Sequence, residues 1–121
     1  MNIKELCKKA YENASKKGFW NDWYEIKGSK KHQGLIIQDA NAEEHMINNA
    51  ISTRLMLIVG EVSEAMEALR KNDTINFNEE LADVAIRLSD LCGGLDIDLE
   101  TEIEYKMSKN LNRPYLHGKK F

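Results

Sequence analysis

The chain is predicted to be all-α, a four-helix bundle-like single domain spanning residues 1–121, and three observations predict this. Proline occurs only as Pro114, so almost nothing interrupts a helical backbone. Charged residues make up 31% of the chain, with both signs intermixed and few β-branched runs, a mixture that favours helices over strands. Apolar residues recur at three- and four-residue intervals in four segments, the pattern of a helix that buries one face.

Ile3, Leu6, Cys7, Ala10, Tyr11 and Ala14 follow helical spacing and predict a first helix over residues 2–17, which Gly18 can close. The stretch from Gly18 to Gln38 is less regular. It holds Gly28, Gly34, the aromatics Phe19, Trp20, Trp23 and Tyr24, and a basic cluster of Lys27, Lys30, Lys31 and His32. Asp39 or Asn41 can cap a second helix that runs to about Lys71. That length is unusual in a globular domain, so a break near Asn48–Asn49 is an open alternative. Asn72-Asp73 reads as a turn. Asn76, with Glu79 three residues later, fits a capping box for a third helix, which Gly93-Gly94 ends. Asp96 or Asp98 caps a fourth helix through Leu99, Ile103, Met107 and Leu111, stopped by Arg113-Pro114. The tail Tyr115–Phe121 is basic and expected to be irregular. No internal repeat or low-complexity segment is visible.

A chain of 121 residues is one domain that can bury a core, often with help from oligomerisation. Its net charge of −3 gives no support for nucleic-acid binding, which wants a basic face. Cys7 and Cys92 are too few for a disulfide framework and sit on apolar stripes, as core thiols do. The charged N-terminus (Lys4, Glu5, Lys8, Lys9) is no signal peptide. The longest apolar run, Leu55 to Val59, is too short to span a membrane. A reduced, cytoplasmic setting is the expectation, with no membrane partner.

Two acidic pairs carry most of the functional information. Glu61 and Glu64 lie in the second predicted helix, Glu80 and Asp83 in the third, and each pair is spaced i, i+3. Residues three apart are neighbours on a helix surface. At about 100° per residue, Ile58, Ala65, Leu69, Val62, Leu55, Met66 and Val59 spread from about 40° to about 160° beyond Glu61, with Leu57 and Ala68 on its other side. Glu61 is thus flanked by apolar residues, Glu64 lies at the edge, and Glu67 points away. Glu80 abuts the stripe of Leu91, Val84, Leu88, Leu81, Cys92 and Ala85, and Asp83 lies roughly 60° to its polar side. A solvated charge face would not put an acid inside the apolar sector, although any charged helix contains chance pairs. Two such helices packed together cluster four carboxylates, which repel and resist desolvation unless a cation joins them. Four hard oxygen donors suit Mg²⁺, with Mn²⁺ as a substitute.

Glu61-x-x-Glu64, followed after fifteen residues by Glu80-x-x-Asp83, resembles the ExxE…ExxD signature of the MazG-like nucleoside triphosphate pyrophosphohydrolases, an all-α superfamily that also holds the dimeric dUTPases. Residues 57–70, 79–84 and 95–100 are similar as well. So is the ending, in which Lys106, Asn110, Arg113-Pro114 and His117-Gly118-Lys119-Lys120-Phe121 resemble small single-domain members, phage-encoded ones among them. The resemblance is good from about residue 50 to the end and weaker before it.

The resemblance implies Mg²⁺-dependent hydrolysis of an NTP or dNTP to the monophosphate and pyrophosphate, with Glu61, Glu64, Glu80 and Asp83 as metal ligands. Glu61, the most embedded acid, is the candidate to accept the proton of the attacking water. Lys106, Asn110 and Arg113 share one side of the last helix. Spacing alone reads them as ordinary solvated groups, and the resemblance makes them substrate-binding residues for the triphosphate. It also carries a base-lining role to Trp20, although aromatic clusters more often fill cores. It further implies a homo-oligomer, dimer or tetramer. Arg87 is close in angle to Glu80 and can form a structural salt bridge with it. Asp90, one turn on, can be an extra ligand or a surface acid, and the surface acid is the favoured reading. The alternative is a non-catalytic helical module that binds a metal or a partner. A di-iron bundle would need Glu-x-x-His motifs, and a P-loop nucleotidase its Gly-rich Lys-Ser/Thr loop; neither is present.

Overall fold

The computed structural model describes residues 1–28 and 40–121. Lys30, Lys31, His32, Gly34 and the candidate cap Asp39 lie outside the described residues. Among those described, five helices follow in order: α1 (Ile3–Lys16), α2 (Asn21–Gly28), α3 (Ala40–Arg70), α4 (Thr74–Gly94) and α5 (Leu99–Leu111), then a 3₁₀ turn at Tyr115–Gly118. The all-α expectation holds, with one helix more than the periodicity predicts.

α1 begins with a capping box. The Asn2 side chain accepts from the Glu5 amide at 2.8 Å, and Glu5 accepts from the Asn2 amide at 3.2 Å. Gly18 ends it with φ +88, a conformation other residues adopt at a cost. α2 occupies part of the stretch that the sequence leaves irregular. Its polarity obscures the signal, and tertiary contact decides it: Trp23 and Ile26 turn inward beside Trp20, and Arg54 of α3 clamps Asp22.

α3 is continuous, without a break at Asn48–Asn49. Both asparagines are exposed, so their side chains do not perturb the ladder. The α3–α4 turn bends at Asn72, where φ is +56. α4 starts earlier than its predicted capping box: Asp73, not Asn76, is the N-cap, and its carboxylate accepts from the Asn76 amide at 3.1 Å. Asp98 rather than Asp96 caps α5, because Asp96 takes a positive φ in the preceding turn.

α4 is the central element, packed most extensively on α3 and on α1. Gly93 and Gly94 are its last two residues, and they are contact points more than a stop signal. A β-carbon at Gly93 would meet the Cys7 carbonyl and Tyr11, and one at Gly94 would collide with the Trp20 ring. Removing the side chain there lets α1 and Trp20 close onto α4. Trp20 is fully buried. Tyr11 and Trp23 meet it edge-on at 5.2 and 5.5 Å, Arg54 stacks on its ring at 4.1 Å, and its indole N–H donates to Asp90 at 2.7 Å. Cys7 and Cys92 are buried core thiols, as expected.

The apolar stripe beside Glu61 is a different matter. Ala65 and Ala68 are buried, but Leu55, Val59, Val62, Met66 and Leu69 are all about half exposed or more. Their spacing of four, three, four and three residues is that of a coiled-coil seam. Periodicity identifies which face is apolar, not what covers it.

Candidate functional site

α3 and α4 form a hairpin whose facing sides carry the acids. Oxygen atoms of Glu61, Glu80 and Asp83 lie within 4.8 Å of one another. Glu61 and Glu80 are half-buried, whereas Glu64 and Asp83 are exposed, the gradient that the helical angles predict. Glu64 stands outside the tight trio but close enough for its charge to act on Glu80.

The electrostatics of the trio are those of an unbalanced anionic cluster. Glu80 has its carboxyl held above the ordinary glutamate range, first by loss of hydration, then by a hydrogen bond with Glu61 and by the charges of Glu61, Glu64 and Asp83. Arg87 supplies one compensating charge. Its Nε donates to Glu61 at 2.6 Å, so the arginine placed by angle beside Glu80 pairs with Glu61 across the helix interface. Glu61 is therefore held from two sides, by a guanidinium and by the Glu80 carboxyl. Three carboxylates against one arginine leave excess negative charge in a partly desolvated spot, and hard oxygen donors at this separation fit a divalent cation such as Mg²⁺.

A cavity of about 250 Å³ opens beside the trio, between α1, Phe19, α3 and α4. Glu61, Asp83 and Arg87 line one part of it, and Ala10, Ala14, Phe19, Leu57, Ile86 and Leu91 give it apolar walls. The sequence reading missed Phe19 and Asn13 as cavity residues. The aromatic cluster was visible, but which of its rings stays open depends on tertiary packing.

Two expectations are corrected. Trp20 has no exposed surface, and its ring is enclosed by Arg54, Tyr11, Trp23 and Gly94, so it offers no open face to a base. Asp90 is not a surface acid. It anchors the Trp20 indole, and burial pushes its carboxyl above the usual aspartate range despite that hydrogen bond.

The structure does not bring Lys106, Asn110 and Arg113 to the acids. They lie on α5 and just beyond it, and α5 packs chiefly on α1. Lys106 and Arg113 are exposed, and the half-buried Asn110 keeps its side-chain oxygen unpartnered among the described residues.

The model of the MazG nucleotide pyrophosphohydrolase domain matches residues 50–117. That span takes in both acidic pairs, Arg87 and α5. The chain belongs to the MazG nucleotide pyrophosphohydrolase family. Neither curated proteins nor solved structures yield a match. Within the MazG region, the acid trio lies on the α3–α4 hairpin and the cations at the far end of the match. The aromatic rings Tyr11, Trp20 and Trp23 and the cavity's α1 wall precede it, whereas Arg54, Asp90 and Gly94, which also enclose Trp20, lie within it. Among the described residues, no helix is long and apolar enough to cross a membrane.

Proposed function

We propose that the chain is a single MazG domain that hydrolyses a nucleoside or deoxynucleoside triphosphate to the monophosphate and pyrophosphate with Mg²⁺. The observation that carries this reading is the convergence of Glu61, Glu80 and Asp83 within 4.8 Å inside a nucleotide pyrophosphohydrolase family match. Glu61, Glu64, Glu80 and Asp83 hold the cation, with Glu64 moving in from its exposed position. Bound there, a divalent ion would neutralise triphosphate charge and lower the pKa of the attacking water. A ligand carboxylate must be ionised, so a bound ion would oppose the upward shift of the Glu80 carboxyl. Arg87 fixes Glu61 through one oxygen, and Glu61 accepts the proton from water.

Lys106, Asn110 and Arg113 bind the phosphates. Because α5 packs on α1 within its own chain, they serve the acid trio of a neighbouring copy. The exposed heptad seam of Leu55, Val59, Val62, Met66 and Leu69 supports a homo-oligomer, dimer or tetramer, in which this face is covered. A cytoplasmic enzyme acting on free nucleotides fits this reading.

The test is product analysis over the common NTPs and dNTPs with Mg²⁺. Pyrophosphate and monophosphate are the expected products, and chelation with EDTA should stop their release. Orthophosphate as first product, or unchanged activity in EDTA, overturns the assignment. Metal binding with no turnover on any nucleotide would favour the non-catalytic module. Sedimentation showing only monomer at micromolar concentration would remove the oligomer from the picture.

A further inference from the structure

Resting on that hydrolase reading, we infer that Arg87 selects the metal: by occupying one oxygen of Glu61 it biases the acid trio towards a small octahedral cation such as Mg²⁺ and against Ca²⁺. In this role Arg87 touches neither the ion nor the substrate. It is a positioning residue that acts through Glu61.

The contact is specific to one atom on each side. Arg87 donates from Nε, not from a terminal nitrogen, and Glu61 accepts at Oε1 over 2.6 Å. Arg87 stands on α4, one turn beyond Asp83 and two beyond Glu80, while Glu61 stands on α3. The bond therefore crosses the helix interface and ties one acid of the trio to the helix that carries the other two. The Glu61 side chain is 17% exposed and that of Arg87 35%, so water competes weakly for the bond, and a charge-assisted bond of this length is among the stronger ones. Among the described residues, no other cation is bonded to the trio. Arg54, which lines the same cavity, is taken by Asp22 and by the carbonyls of Phe19 and Ala50.

A carboxylate has two oxygens, and whether it can offer both decides which ion it suits. Ca²⁺ takes about six to eight oxygens in a flexible shell and accepts both from one carboxylate. Mg²⁺ demands a near-ideal octahedron and completes it with water. With Oε1 held by a fixed donor, Glu61 has one oxygen outside that bond. Ligand number and ligand flexibility are what separate the two ions, and Arg87 lowers both at Glu61. Charge alone would not select, because a guanidinium beside the site repels two dications alike.

The identity of the donor atom supplies the variants. A glutamine amide nitrogen stands as many bonds from the backbone as Arg87 Nε, so Arg87→Gln keeps an N–H in place while removing the charge. Arg87→Met fills the same length with no donor. Calorimetric titration of metal-free protein with Mg²⁺ and with Ca²⁺, in the absence of nucleotide, gives the ratio of Kd for Ca²⁺ to Kd for Mg²⁺. Arg87→Met should lower that ratio by about tenfold, the lower end of what a hydrogen-bond partner of a metal ligand contributes. Arg87→Gln should leave it close to the wild-type value. A ratio unmoved in Arg87→Met, as expected of an arginine that only holds the fold or only adds charge, overturns the role. So does a ratio that shifts as far in Arg87→Gln as in Arg87→Met. Pyrophosphate release on the wild-type preparation keeps the two readings apart. An unmoved ratio with pyrophosphate released removes the role of Arg87 and leaves the hydrolase standing. The expected shift without turnover on any nucleotide supports the role of Arg87 while the hydrolase reading falls.

Discussion

Arg54 and Glu61 stand seven residues apart on α3, and Asp90 and Asp83 stand seven apart on α4, so the hairpin carries two polar layers two helical turns apart. The layer around Arg54 is balanced. Arg54 is 11% exposed, forms two hydrogen bonds with Asp22 and one each with the carbonyls of Phe19 and Ala50, and stacks on Trp20. Asp90 is bonded to the Trp20 indole. Charges of opposite sign meet, and the Asp22 carboxyl is held below its usual range, first by the hydrogen bond from Arg54. The layer around Glu61 brings three acids together against Arg87, and Glu80 shifts the opposite way. A polar cluster that satisfies itself holds the fold together. One that leaves like charges facing each other is suited to a further cation, and that contrast separates the two layers more sharply than acidity alone.

The contrast predicts opposite mutant phenotypes, and the largest effect belongs to the site. Glu80→Gln should lower Mg²⁺-dependent pyrophosphate release by at least about a hundredfold, since a ligand charge is lost. Its metal-free melting temperature should stay the same or rise, because removing one acid relieves repulsion. A fall of several degrees with turnover near wild type would make Glu80 a scaffold residue and erase the distinction between the layers. Next in size is Arg54→Met, which strands Asp22 and the Phe19 carbonyl. It should destabilise by about 2–3 kcal/mol, or several degrees in a domain of this size. Thermal melting that stays within a degree of wild type would show that the balanced layer does not hold the fold.

The sequence reveals the site layer better than the scaffold layer. The clustering of Glu61, Glu80 and Asp83 is legible because i, i+3 spacing and the apolar sectors around it are local properties of two helices, whereas Glu64, on the same spacing, stands outside the trio. That Arg87 chooses Glu61 over Glu80 is not local, since it depends on helix register across the interface. Trp20 and Asp90 are misplaced by sequence reasoning for the same reason: seventy residues separate the indole from its acceptor. α2 escapes notice because Trp23 and Ile26 are too few to make a stripe. The Leu55–Leu69 seam is correctly apolar but is not interior to this chain, as periodicity has no access to the partner that covers a face.

A smaller effect is expected at the cations of the last helix. Lys106→Ala and Arg113→Ala should each raise KM for the triphosphate by about tenfold, the weight of a charge-assisted contact. Neither should move the melting temperature, since both side chains are exposed. These variants sharpen the comparison by adding a third kind of charged group, one that serves neither the balanced layer nor the trio of its own chain. If both bind a non-hydrolysable triphosphate as the wild type does, the phosphate role fails.

The smallest effect is a pH dependence of opposite sign at Asp22 and at Glu80. Asp22 has its folded carboxyl lowered, so the stability it contributes is present above the unfolded aspartate value and is lost as pH falls through the folded one. Glu80 has its folded carboxyl raised above 4.5. The folded state then holds more protons than the unfolded one, so its contribution is present below 4.5 and is lost as pH rises through the raised value. Asp90 is raised too and slopes the same way, so the wild-type curve alone does not isolate the trio. The difference between wild type and Glu80→Gln does. In metal-free buffer, the melting temperature of the wild type should fall relative to Glu80→Gln as pH rises from about 4.5 towards neutrality. Saturating Mg²⁺ should cancel that gap at neutral pH, because the cation stabilises the ionised trio that the proton leaves behind. Parallel curves in metal-free buffer would mean that Glu80 titrates alike in the folded and unfolded chains, and the like-charge contact that defines the site layer would be absent in solution.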